Sequence, residues 1–479
     1  MTFNSYIFIL LFLPAVLGGY YLLRFVPVRF HNYYLILSSL IFYVYAGWGI
    51  TLWLLVSSSI HYIFVLLVRK YKNKRYLYFG VSVSLAGLLL SKYLVFLGET
   101  VHFLLKVNIS YPNLILPLGI SFYTFQEIAY LIDTYRGKLD KYSASDYFCY
   151  ILFFPKLIMG PLAKADLLLP QLLDADRRKW NTDQFTEGVQ FFVGGLAKKL
   201  LLADVFAECV NFGISNLHTI QSMDVIITML AYTFQIYFDF SGYSDMAIGI
   251  GKMMNIDIPA NFNMPYRACS IGEFWKKWHI TLTDFFREYV YIPLGGNRKG
   301  KIRQYGNMML VFLLSGIWHG ANWTFVLWGI LHGACQVIER IGGEVIRIPK
   351  VIRWITTFVI INILWLLFRT DSIHDWVYAI KTIVSFDGIS ISEGLKNTFY
   401  KPETELLVHV LRIGPIINTI QGGIVWLYMI LGITGAALIP AGISSKVRRS
   451  YAGAIIYAML FIYCLICLGG ETSFVYYNF

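Results

Sequence analysis

Two histidines forty residues apart hold the side chains best suited to chemistry in this sequence. His279 closes the run Glu273-Phe-Trp-Lys-Lys-Trp-His279, which is polar on one side and aromatic on the other. His319 lies in the hydrophobic stretch Ser315-Gly-Ile-Trp-His319-Gly-Ala-Asn322-Trp323. An ionisable group inside an apolar span is costly, which makes it a functional candidate by default. Imidazole also takes and returns protons near neutral pH. The pair points to group transfer carried out within a bilayer.

Placed on a helix at 100° per residue, residues 273–290 separate into two faces. Phe274, Trp275, Trp278, Leu282, Phe285, Phe286 and Tyr289 share an arc of roughly 120°. Charged and hydroxyl residues fill the rest, with Ile280 the exception. This predicts an interfacial helix lying with its aromatic face down, His279 at the edge of the arc and able to reach inward. A boundary histidine with no chemical task fits the same pattern. In the later stretch Ser315, His319, Asn322 and Trp323 share a face, whereas His332 points away. The Ser315 hydroxyl and Asn322 amide are expected to orient the His319 imidazole by hydrogen bonds. A buried neutral imidazole suits a general base; a structural histidine satisfied by a carbonyl is the competing reading. Gln235, Asp239 and Tyr243 form a third polar face. Asp239 is expected to pair with a histidine or a basic residue, and a structural salt bridge is the favoured role for Asp239 and Asp245. No spacing suggests a metal site, a dinucleotide fingerprint or a phosphate loop.

Composition fixes the solvent these groups live in. Of 479 residues, 57% are hydrophobic and 14% charged, against about a quarter charged in soluble domains. Apolar stretches near the ~20 residues needed to span hydrocarbon recur at 5–24, 32–49, 51–68, 76–96, 113–135, 222–241, 305–338, 354–370, 422–442 and 452–470. The N-terminus lacks a basic leader region and reads as a retained first span. Residues 146–163, broken at Pro155 and Gly160-Pro161, read as a re-entrant segment, which requires a protein or aqueous surround. Residues 184–210 read as a partly interfacial helix with Lys198 and Lys199 at headgroup level. The predicted fold is all-α: a polytopic membrane protein of about ten to twelve helices, with re-entrant and interfacial helices around a central cavity, forming one domain over 1–479. Cys464 and Cys467 read as helix packing rather than a zinc pair.

The net charge of +12 is dispersed in short basic loops at 69–75, 136–141, 177–179, 198–199, 298–303, 347–353 and 446–449. Such loops stay cytoplasmic; 98–113 and 387–411 fit the outer side. Charges that punctuate spans, rather than forming one stripe, exclude nucleic acid as a partner and favour anionic lipid headgroups and cytoplasmic phosphates.

The motifs together resemble the membrane-bound O-acyltransferase family, in its bacterial branch of alginate and peptidoglycan O-acetyltransferase membrane subunits. The similarity runs almost end to end. It includes Phe154-Pro-Lys-Leu-Ile-Met-Gly-Pro161, Tyr237-Phe-Asp-Phe-Ser-Gly-Tyr-Ser-Asp245, Asn261-Phe-Asn-Met-Pro-Tyr266, Glu273 to His279, Tyr291-Ile-Pro-Leu-Gly-Gly-Asn-Arg298 and Trp318-His-Gly320. The resemblance implies two opposed funnels meeting near the midplane, His319 as catalytic base and His279 as its second member. It implies acetyl-coenzyme A as donor substrate, no tightly bound cofactor, and an envelope polysaccharide or peptidoglycan as acceptor at the bacterial cytoplasmic membrane. A secreted SGNH-type acetyltransferase is the implied partner. Ser315, Asn322, Arg298 and Lys299 are the positions expected to meet the donor, with His279, Asn322 or backbone N–H groups stabilising the oxyanion. The ending Phe474-Val-Tyr476-Tyr477-Asn-Phe479 resembles the C-terminal tyrosine motif of wall-acylation systems, in which a phenol carries the acyl group; Tyr476 is the preferred carrier over Tyr477. D-alanyl transfer to teichoic acid from a carrier-protein thioester is the alternative within the family, and a proton-coupled transporter the alternative outside it.

Overall fold

The structure, a computed structural model, describes residues 1–106, 117–342, 349–410, 412, 414–419, 422–438, 450–469 and 474. Every secondary-structure element among them is helical. Five helices among the described residues are long and apolar enough to cross a membrane: Ile7–Phe25, Trp48–Tyr71, Lys74–His102, Lys350–Arg369 and Tyr451–Gly469. The described residues group into two compact units, Met1–Phe192 with Met246–Ala260, and Val193–Asp245 with Asn261–Phe479.

In the first unit the basic run 69–75 is the turn between two spans. Helix Trp48–Tyr71 stops because Lys72 adopts a left-handed conformation (φ 47°). Asn73 then caps the next helix, its side chain accepting from the Arg75 N–H at 2.9 Å. The expected re-entrant segment is two short buried helices, Ala144–Leu152 and Phe154–Leu157. A capping box at Ser143 starts the first; Phe153 leaves helical geometry between the two, and Pro155 sits in the first turn of the second, where its missing N–H has no helical partner to lose. Lys156 is fully buried, donating to the Gln126 side-chain oxygen and lying 3.8 Å over the Tyr150 ring.

In the second unit the predicted single span 305–338 is a helical hairpin, Lys301–His319 and Trp323–Gly342. The break falls at Gly320-Ala321-Asn322, so His319 ends a helix instead of lying within one. Asn322 turns the chain by capping the second helix, its side-chain oxygen accepting from the Thr324 N–H at 3.0 Å. Two glycines let the helices touch backbone to backbone. A Cβ on Gly316 would lie 2.3 Å from the Phe325 carbonyl oxygen, and one on Gly329 would lie 2.4 Å from that of Phe312. Gly316→Ala is therefore expected to cost about 1–3 kcal/mol of overpacking strain and to lower both thermal stability in detergent and turnover, since His319 lies three residues on. Gly306→Ala, with open space at its Cβ, should leave stability equal or slightly higher. Equal melting temperatures for the two variants would contradict the close helix contact.

Residues 184–210 form Thr182–Ala197, a π-helical turn Lys198–Ala203 and Asp204–Ser215. Lys198 and Lys199 are not at headgroup level. Both are buried, Lys198 on Asp245 at 2.6 Å and Lys199 between Asp239 at 2.7 Å and Asp204 at 2.8 Å. Asp239 and Asp245 are thus structural ion-pair partners of lysines. Carboxylate partners offset the cost of burying these two ammonium groups in an apolar interior, and the one-dimensional pattern does not reveal them.

Candidate active site

The continuous interfacial helix predicted over 273–290 is absent. Helix Ile271–Trp275 starts on the Ser270 hydroxyl, which accepts from the Glu273 N–H at 2.9 Å. A second helix, Ile280–Phe286, passes into a π-turn, Arg287–Tyr291. His279 breaks the run between them with a left-handed backbone, φ 42° and ψ 54°. A non-glycine residue held there costs about 1–3 kcal/mol and persists only where its surroundings fix it. The loop from Asn261 supplies that fixation. Its Asn261 carbonyl accepts from the Ile280 N–H and its Asn263 N–H donates to the Lys277 carbonyl, each at 2.9 Å. The Asn261 side-chain oxygen also accepts from the Thr281 hydroxyl at 2.6 Å. The strain aims His279 inward: it is fully buried, against the edge of Phe240 at 4.7 Å between ring centroids. The aromatic residues of the segment are buried among protein groups, Trp278 between Phe262, Tyr266 and Trp365.

His319 is 3% exposed and arrives from the end of its own helix. Trp318 joins the two histidines, with ring centroids 6.3 Å from His279 and 4.7 Å from His319. The other walls around His319 are Trp328 and Phe368, each at 5.2 Å. His332, predicted to point away, belongs to the same aromatic cluster. It packs on Trp328 at 4.6 Å, and its Nδ1 accepts from the Trp275 indole N–H at 3.2 Å. The wheel misplaces it because the chain reverses at Asn322, so 315–332 never forms one helix.

The remaining predicted residues divide. Ser315, one turn before His319, is buried and lines an apolar groove of about 220 Å³. Arg298 lines a neighbouring cavity of about 350 Å³. Asn322 does not orient His319, because its oxygen caps Thr324 and its amide nitrogen donates to the Asp371 carbonyl at 3.0 Å. Lys299 does not line the cavity; its stem lies over Gly295, 3.2 Å from where a Cβ would be. Tyr476 and Tyr477 lie outside the described residues, as does the basic cluster 446–449. Phe474 is described and is fully buried, with its ring 4.3 Å from the Lys199 ammonium and 5.2 Å from Tyr243. Sequence reasoning missed Trp318 as the shared wall and Asn261 as the clamp; both sit in quoted motifs.

Two buried imidazoles thus lie against one indole among further aromatic rings. The family model for "MBOAT, membrane-bound O-acyltransferase family" matches residues 35–369. The chain is 37% identical over 430 residues to a peptidoglycan O-acetyltransferase of Helicobacter pylori, covering 82% of this chain and 81% of that protein. It is 38% identical over 409 residues to the "Probable alginate O-acetylase AlgI" of Pseudomonas aeruginosa, covering 82% and 76%. A teichoic acid D-alanyltransferase of Bacillus subtilis is 28% identical over 302 residues, covering 59% and 71%. Site, apolar helices and relatives agree: this chain belongs to the membrane-bound O-acyltransferase family and is a multi-pass membrane acyltransferase.

Proposed function

We propose that the chain moves an acetyl group from a cytoplasmic coenzyme A thioester to hydroxyls of an extracytoplasmic envelope polysaccharide, with peptidoglycan or an alginate-like polymer as the acceptor class, at the bacterial cytoplasmic membrane. The observation that carries this reading is the pair His279 and His319, both buried against Trp318. His319 takes the proton of the attacking hydroxyl as its oxygen forms a bond to the thioester carbonyl. The C–S bond then breaks, and the proton passes to the departing thiolate. His279 or backbone N–H groups stabilise the intermediate oxyanion, a contribution of a few kcal/mol in such sites. Asn322 has no part in this, since its amide is engaged elsewhere.

The C-terminal tail adds a relay. Tyr476 would accept the acetyl group first, with His319 taking the phenol proton; an unperturbed phenol, with pKa near ~10, needs such a base. The aryl ester then passes its acetyl group to a secreted SGNH-type partner or to the polymer. Support comes from Phe474, two residues earlier, which is buried on Lys199 and Tyr243. Membrane vesicles given labelled acetyl-coenzyme A should deposit label as oxygen ester on envelope polysaccharide. Intact-protein mass spectrometry should show an acetyl adduct on the C-terminal peptide, absent from Tyr476→Phe. Unchanged polymer acetylation by the Tyr476→Phe, Tyr477→Phe double variant would reduce the tail to an anchor. Incorporation of D-alanine in place of acetate would replace the donor.

A further inference from the structure

In the first unit, the short turn Asp176–Arg178 carries an arginine with an incomplete set of hydrogen bonds. Arg178 is 1% exposed. Its Nη1 donates to the Val26 carbonyl at 3.1 Å, while Nε and Nη2 meet no acceptor among the described residues. The cations on either side of it are engaged, Arg177 with Asp257 at 3.0 Å and Lys179 with Asp176 at 2.6 Å. A buried donor without an acceptor costs about 1–3 kcal/mol, more when it is charged. Val26 directly follows the span Ile7–Phe25, so the guanidinium is held at that span's end. Tyr20 and His31, with ring centroids 4.6 Å apart, are its buried neighbours. The surface around this turn is both apolar and basic. Leu22, Phe25, Phe30, Tyr33 and Trp180 are exposed. Arg24 lies 4.4 Å over the Phe25 ring, and the Arg29 Nε donates to the Tyr33 hydroxyl at 3.1 Å.

We infer that Arg178, assisted by Arg24 and Arg29, binds the phosphate of an anionic phospholipid at this end of the first span. Nε and Nη2 donate from the same edge of a guanidinium, the edge that grips two oxygens of one phosphate. The chemistry recognised is a phosphate monoanion, and the surroundings commit it to a lipid. A free phosphate has no use for exposed Leu22, Phe25 and Phe30, whereas acyl chains cover them. Trp180 and Tyr33 suit the headgroup level, where amphipathic rings collect. Arg24 and Arg29 add attraction for a net negative headgroup and oppose one that carries its own ammonium. The bound phosphate completes the hydrogen bonds of Arg178 and ties the turn 176–180 to the first span. This site is independent of the acyl-transfer chemistry.

The test titrates the full-length protein in detergent with dioleoylphosphatidylglycerol or dioleoylphosphatidylcholine and follows the tightest-bound lipid by native mass spectrometry. The wild type should prefer phosphatidylglycerol by about tenfold, and inorganic phosphate in large excess should not displace it. Arg178→Gln should weaken phosphatidylglycerol binding by about ten- to a hundredfold. Arg178→Lys, which keeps the charge but loses the paired donors, should fall between. Arg75→Gln, an exposed basic residue of the other turn in this unit, should bind as the wild type does. Should Arg178→Gln fail to fold, the exposed pair Arg24→Gln, Arg29→Gln carries the test, with a loss of roughly tenfold. Equal affinity for the two lipids in the wild type, or undiminished phosphatidylglycerol binding in the variant that carries the test, would overturn the site. Displacement of the lipid by inorganic phosphate would overturn its assignment to a lipid.

Discussion

His319→Ala is expected to remove acyl transfer while the protein inserts and purifies as the wild type does. General-base catalysis contributes about 10²–10⁴-fold, and His319 stands where two helices end against Trp318, Trp328 and Phe368. Turnover should fall by at least that factor with little change in KM, because a general base acts on the transferring proton rather than on donor binding. His279→Ala should lower turnover strongly but less completely. His332→Ala should behave differently again. Its Nδ1 accepts from Trp275 and its ring supports Trp328, so the loss should appear in thermal stability first and in turnover only as packing loosens. A His332→Ala protein as stable as wild type yet inactive would exchange the roles of the two histidines.

The second large effect concerns Lys199. Its ammonium is almost completely buried between Asp239 and Asp204 and beneath Phe474. Lys199→Met leaves two buried carboxylates without their cation, a loss of about 3–5 kcal/mol for a broken buried pair. The melting temperature in detergent should drop accordingly, and adding Asp239→Asn should restore part of it by removing one uncompensated charge. A variant with wild-type melting behaviour would show that the pairs contribute no net stability.

Much of this was legible in sequence because the signals were local. The run 69–75 between two apolar stretches announced a hairpin turn, and Pro155 announced a break in 146–163. His279 and His319 stood out by type and setting. The rest depends on reversals that a helical wheel assumes away. His279 interrupts its helix at positive φ because a separate loop, Asn261 to Asn263, bonds to the backbone on both sides of it; no periodicity within 273–290 carries that information. The reversal at Asn322 reassigned two residues, Asn322 to a cap and His332 to the aromatic cluster, and it set Arg340 against Gln304. A signal for the last was present, since Gln304 and Arg340 lie equally far from Asn322 in sequence and so face each other across a hairpin. The burial of Lys198 and Lys199 was hidden for a different reason. A dilysine at a helix end looks like an interfacial anchor until its carboxylate partners, some 40 residues on, are known.

The most direct test of acyl transfer at the His279–His319 site is sided transfer in proteoliposomes. Labelled acetyl-coenzyme A is supplied only on the face bearing the 298–303 loop, and an impermeant saccharide acceptor only on the opposite face. Appearance of hydroxylamine-labile label on the acceptor, dependent on His319, is the predicted result. Label that remains in thioester while solute or protons cross the bilayer, or acceptor labelling undiminished in His319→Ala, would contradict it.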